Sequence, residues 1–318
     1  MYKRQPFILK TREDDVKTVL APNPAWWDKP QHNLTEATFF RIANDATRVA
    51  ALLSGELDFV YTVPPQDMAR LGSTPGIKLV QGQELRTIFL GMDQQRDELQ
   101  DSSIKGKNPF KDPRVRQAFY QAIDIEAIRP RVMRGQAKPT ALMVGPGING
   151  FTEAANIRAP LDPDGARKLL TDAGYPSGFE VGFDCPNDRY VNDEQICQAV
   201  VAMLARIGIK ANLDAQTRAR FFAKVNSPGF NTSFYLLGWT AATYDAHNVL
   251  LNIFHTRDLA RGRGMFNNGG YSNARVDQLS DLVAAGIDPK KRQALIDESF
   301  KIVKDEFGYI PLRLVTIK

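Results

Sequence analysis

The sequence predicts an α/β fold. From Phe179 onward, short apolar runs alternate with segments of helical period, the pattern of strands followed by packing helices. Asp-Pro pairs at Asp112-Pro113, Asp162-Pro163 and Asp288-Pro289 each open an amphipathic segment, with Asp as N-cap and Pro in the first turn. Across 318 residues, 43% are hydrophobic and 24% charged, so the chain is globular rather than disordered or fibrous.

The elements follow in order. Asp14 to Leu20 reads as extended, ended by Asn23-Pro24, and Thr38 to Ile42 as a strand. Asn44 or Asp45 caps a helix with apolar face Ala46, Val49, Leu52 and Leu53, and Gly55 ends it. Further strands are expected at Asp58–Tyr61, Ile77–Val80 and Thr87–Met92. Residues 95–108 are polar and mark a boundary. The helix at Pro113 carries Val115, Ala118, Phe119, Ala122 and Ile123 at one-face spacing. The helix at Pro163 carries Ala166, Leu169, Leu170 and Ala173; that at Pro289 carries Leu295, Ile296, Phe300 and Val303. Between these come strands at Phe179–Asp184, Ile209–Leu213 and Ser233–Gly238, and helices at Glu194–Ile207 and Arg218–Val225. The end of the chain, Ile310 to Lys318, alternates like a half-buried strand without a cap. That pattern leads to the expectation of a chain truncated there.

Several function classes are disfavoured. No apolar run approaches the roughly 20 residues a spanning helix needs. The net charge of +5 is spread among acids, and the one dense basic stretch, Arg129 to Arg134, reads as a solvated helix end rather than a nucleic-acid footprint. Neither CxxC nor HExxH occurs, so no metal or other cofactor is expected. Cys185 and Cys197 are open to two readings, a disulfide in an oxidising compartment or two free thiols. Gly145 to Gly150 matches GxGxxG, but Pro146 removes a phosphate-facing N–H and no long helix follows. Asp245, His247 and a serine such as Ser233 are the residue types of a hydrolytic triad, with nothing in the spacing to fix their geometry.

Three loops concentrate polar and aromatic groups outside any core period: Asp184–Asp193, Leu237–Asn248 and Met265–Asn273. In α/β sheets, ligands gather where strands end and helices begin, so these loops form the expected binding surface. Candidate ligand-binding residues are Arg86, to pair an anionic group, Trp239, to stack, and Asp245, to take a cation. His247, Tyr190 and Asn268 complete the set.

Several segments resemble the extracytoplasmic solute-binding proteins of the peptide/nickel ABC importer family, family 5. These are Asn44 to Asp58, Pro109 to Asp124, Ala166 to Pro176, Ile207-Gly208-Ile209, Tyr271 to Asp277 and Ile310-Pro311-Leu312. They occur in the family's order. The resemblance implies a two-lobed periplasmic-binding-protein fold of class II, dipeptide/oligopeptide-binding-like, with the first lobe incomplete. Residues 1–90 would be the later part of lobe I, 91–94 a hinge crossing, 95–308 lobe II, and 309–318 the second crossing and return strand. It implies a monomeric, periplasmic binding subunit, exported by a signal peptide not in this chain. Such a protein captures a peptide-like or other small polar solute and delivers it to an ABC permease with its ATPase subunit. It performs no reaction and uses no nucleic-acid partner. Peptide-binding relatives hold the α-amine with an aspartate three positions after the tryptophan. Here that position is Ala242, a departure that puts simple peptides in doubt. Tyr244-Asp245-Ala246-His247 is similar to a Tyr-Asp-Pro-His segment of nickel-binding members. Alternatives are therefore a nickel chelate, an opine or an oligosaccharide on the same fold, or a hydrolase using His247 and Asp245.

Overall fold

A computed structural model describes residues 5–226 and 228–317, apart from the side chains of 83 and 314–317. The chain separates into two compact units, Met1–Val63 and Pro64–Lys318.

In the first unit, β1 (Phe7–Glu13), β2 (Lys17–Pro22) and β3 (Ala37–Phe40) form an antiparallel sheet in that order. The expected strand at Asp14–Leu20 is a hairpin corner followed by β2, with Asp15 at φ +60°. The alternation of β1 is hidden in the sequence because Leu9 to Glu13 are exposed. Helix α1 (Asp45–Leu53) starts where Asn44 Oδ1 accepts the Thr47 N–H at 2.9 Å. It ends before Gly55, whose φ of +77° favours a residue without Cβ. The strands expected at Asp58–Tyr61 and Ile77–Val80 are not strands. Both segments lack a ladder partner, and Phe59, Tyr61 and Val80 face solvent, so β-propensity alone does not build a sheet there.

The second unit is a three-layer α/β/α body. Its six-stranded sheet has the order β5 (Ala137–Pro139), β9 (Ile310–Ile317), β4 (Gly82–Met92), β8 (Phe234–Thr240), β6 (Phe179–Pro186), β7 (Ile209–Gln216). β6 runs parallel to β7 and β8; β5, β9, β4 and β8 pair antiparallel. Successive side chains of a strand point to opposite faces, and along β4 and β8 both faces are covered. Ile88, Leu90 and Met92 of β4, with Phe234 and Leu236 of β8, join a core beneath α3 (Pro113–Ala122), α5 (Pro163–Asp172) and α6 (Asp193–Ala205). Phe89, Tyr235 and Leu237 join a second core beneath α7 (Arg218–Val225), α9 (Ala274–Ala285) and α10 (Pro289–Asp305). Gly91 sits opposite Tyr235, and a Cβ there would lie 2.2 Å from the tyrosine ring, so no larger residue fits. The three Asp-Pro starts open α3, α5 and α10 as expected, each Asp accepting a first-turn N–H. The remaining helices are α2 (Met68–Gly72), α4 (Ile125–Arg131) and the single turn α8 (His247–Val249), which runs into a π-helical turn. The basic stretch at 129–134 lies on and after the end of α4. Among the described residues, no helix is long and apolar enough to cross a membrane.

Cys185 at the end of β6 and Cys197 in α6 form a disulfide, which decides between the two readings of the cysteines. Both are fully buried in the first core.

Candidate functional site

The antiparallel register of β4 and β8 places Arg86 opposite Thr240, and Ile88 opposite Gly238. Gly238 has no room for a side chain: a Cβ would sit 2.9 Å from Arg86, Ile88 and Tyr190 at once. That close approach lets the buried Tyr190 ring lie on β8 while its hydroxyl oxygen accepts the Gly238 N–H at 3.0 Å. The Arg86 guanidinium lies 5.7 Å from the centre of the same ring and that of Arg189 5.0 Å, both within cation–π reach. Arg86 also pairs with Glu84 at 2.7 Å. Burial raises the Glu84 carboxyl above its ordinary value, opposed by Arg86, Arg189 and Arg313. One carboxylate thus stands among three guanidinium groups.

Tyr190 reaches this position because the loop between β6 and α6 is built around Asp193. One carboxylate oxygen of Asp193 accepts the N–H groups of Arg189 (3.0 Å) and Tyr190 (2.9 Å), and the other accepts that of Glu194. Burial pushes the Asp193 carboxyl up to about 6, although those three N–H groups favour its charged form. The disulfide closes the base of the same loop.

Trp239 is next along β8. Its indole N–H donates to Asn248 Oδ1 at 2.9 Å, and its ring meets Phe266 with centroids 4.9 Å apart. Phe266 remains exposed on its other side, as do Met265 next to it in the chain and Tyr244 in the loop after Trp239.

The other expected residues have partners within the protein. Asp245 already holds a cation, Arg292 Nη2 at 2.7 Å, and accepts from Asn149 Nδ2 and the His247 N–H, each at 2.8 Å. Burial works to raise the Asp245 carboxyl, but these three partners outweigh it and hold the group below its usual range. His247 is half-buried, which lowers its imidazole, and it bonds toward the Ser280 backbone. Asp245 receives the backbone N–H of His247 rather than its ring, and buried Ser233 lies before the opposite end of β8. These are anchors for the loop that follows Trp239, not a triad. The Gly145–Gly150 segment adds to them: Asn149 exchanges backbone hydrogen bonds with Tyr244 and Ala246. Asn268 is buried in the turn after Phe266, its amide 3.4 Å from Asn226 Oδ1. Arg86 and Tyr190 are therefore brought together on one face of the sheet, Trp239 follows Gly238 on the other face, and Asp245, His247 and Asn268 have their partners in the neighbouring loops and helices. Glu84 and Arg313 carry no sequence signal and are assembled by the β4–β9 register, while Arg189 belongs to the Asp184–Asp193 loop that the sequence singled out.

Residues 5–260 match the profile of the bacterial extracellular solute-binding proteins, family 5, middle region. The chain belongs to this family. The glutathione-binding protein GsiB of Salmonella typhi is 29% identical to this family 5 chain over 312 residues, covering 96% of the chain and 57% of GsiB. The chain thus spans little more than half the length of the curated relatives it matches. Among solved structures, the DppA periplasmic binding protein of Helicobacter pylori, in complex with peptide STSA, superposes with a TM-score of 0.86 at 23% identity. That alignment covers 98% of this chain and 57% of DppA. AgaA of A. tumefaciens R10, in complex with agropinic acid, gives 0.84 at 24% identity, with 98% and 60% covered. The fold is that of the two-lobed periplasmic binding proteins of dipeptide- and oligopeptide-binding type.

Proposed function

We propose that this chain belongs to the binding subunit of an ABC importer, an exported periplasmic protein that captures a small polar solute and hands it unaltered to a membrane permease. The solute is peptide-like and carries an anionic group. One observation carries this reading. Arg86, a quarter exposed, stands over the Tyr190 ring at the open end of β4 and pairs with a single carboxylate, that of Glu84. Arginine presents five donors in a planar fork, so a guanidinium with one carboxylate partner retains capacity for a second. The names of the relatives, glutathione-binding and peptide- or opine-complexed, support the same chemistry.

The test is a thermal-shift and calorimetric panel: reduced glutathione, di- and tripeptides, opines, oligosaccharides and a nickel–histidine chelate. A solute at one hundred times its Kd stabilises the folded state by about 2.7 kcal/mol, well within detection. The expected outcome is a shift with at least one carboxylate-bearing probe, and recovery of that probe chemically unchanged after incubation. Binding confined to neutral sugars, or turnover of the bound compound, would overturn the proposal.

A further inference from the structure

We propose that Arg313 is a positioning residue of this site: it fixes the loop of residues 187–192, and so Tyr190, without touching solute. The reason it can do so lies in the sheet. Along the β4–β9 ladder, Leu90 stands opposite Ile310 and Phe89 opposite Pro311, but Ile88 stands opposite Arg313. β9 advances two residues where β4 advances one, so Leu312 is the extra residue of a bulge. Without the bulge, Arg313 would face away from Leu312, toward the second core. With it, Arg313 shares the face of Ile88 and is 2% exposed. From there its Nη2 donates to the Val191 carbonyl at 2.7 Å.

Nothing else in that position asks for arginine. Nε and Nη1 are buried without hydrogen-bond partners, and Glu84 and Asp193 balance the charge from a distance. An aliphatic side chain would fill the place without that desolvation. What arginine supplies is reach to a loop carbonyl. Tyr190 adjoins that carbonyl, and its hydroxyl in turn holds Gly238, the residue before Trp239.

The inference rests on the binding reading for its meaning, but its first test needs no solute. Amide hydrogen exchange is measured on the wild type, Arg313→Met and Arg313→Lys. In Arg313→Met, exchange at Tyr190 and Gly238 is expected to rise about tenfold, the effect of losing one charge-assisted bond. Amides of β7 and α10 should stay at wild-type rates, and Arg313→Lys should recover part of the protection. Unchanged exchange at Tyr190 and Gly238, or a uniform rise across the unit, overturns the proposal. The second readout is reduced glutathione as probe: Arg313→Met should bind it about tenfold more weakly, with the loss in the dissociation rate. If the wild type itself ignores glutathione while the exchange pattern holds, the positioning role stands and the choice of solute fails.

Discussion

Removing the Cys185–Cys197 bridge should destabilise the second unit and loosen the loop that carries Tyr190. The bridge spans a sequence separation of 12 residues. Closing a loop of that size in the unfolded chain is worth about 3 kcal/mol at 25 °C. Both sulfurs are fully buried in the first core, so a Cys185→Ala/Cys197→Ala pair also leaves a small void, adding about 1 kcal/mol. Alanine is preferred to serine, because two buried hydroxyls would add unsatisfied polar groups. For a unit of this size, 4 kcal/mol corresponds to a fall in Tm of about 10 °C. Guanidinium unfolding of the oxidised wild type and the double variant measures the difference directly. Reductant alone, without denaturant, should leave the wild-type melting curve unchanged over minutes, since neither sulfur is accessible. A loss below about 1 kcal/mol would refute the reasoning, because it would mean that the unfolded chain gains nothing when the bridge is cut.

Four other outcomes follow from the geometry. Arg86→Met should weaken binding of a carboxylate-bearing probe about tenfold to a hundredfold while leaving neutral probes unaffected, read by calorimetry. Gly91→Ala should cost about 3 kcal/mol in chemical unfolding, because the Tyr235 ring stands 2.2 Å from the added Cβ and is itself buried. Arg292→Met, which leaves Asp245 half-buried without its cation, should cost about 2 kcal/mol and change Trp239 fluorescence through the loop it anchors. Asp193 binds its proton more tightly folded than unfolded, so its contribution to stability is largest below about pH 4 and is lost as pH rises to about 6. Stability curves of the wild type and Asp193→Asn should therefore diverge by up to about 3 kcal/mol across that window and run parallel above it.

The helices were legible because their signals are local. Asp112, Asp162 and Asp288 each cap a helix whose apolar stripe follows within a few residues, and the stripes reappear as the buried faces of α3, α5 and α10. The central strands were legible for a different reason: β4 and β8 are apolar on both faces because both faces are covered, and β6 carries Phe179, Val181, Phe183 and Cys185 on one face with Glu180 and Asp184 on the other. Segments 58–61 and 77–80 failed as strands because a strand needs a partner, and partnership is not written in either segment alone. The site followed the same division. Tyr190 and Trp239 stood out in polar loops. Asp245 and His247 stood out equally, yet they serve Arg292 and the Ser280 backbone, partners more than thirty residues away that no local pattern announces.

Arg313 marks where period-two reasoning breaks. Read from Ile310 to Lys318, the alternation puts Ile310, Leu312 and Leu314 on one face, with Arg313 on the other, where a charged residue would ordinarily meet water. One extra residue in the ladder reverses that assignment and carries a guanidinium into the first core, opposite Ile88. A bulge is a property of two strands in register, so it cannot be inferred from either sequence alone. The consequence reaches beyond one side chain. β9 is held by β4, Arg313 ties β9 to Val191, and Tyr190 ties that loop to β8 just before Trp239. β9, the loop of Tyr190 and β8 are thereby fixed to one another through buried bonds, and under the proposed binding role such fixing spares the energy of binding the cost of ordering those side chains.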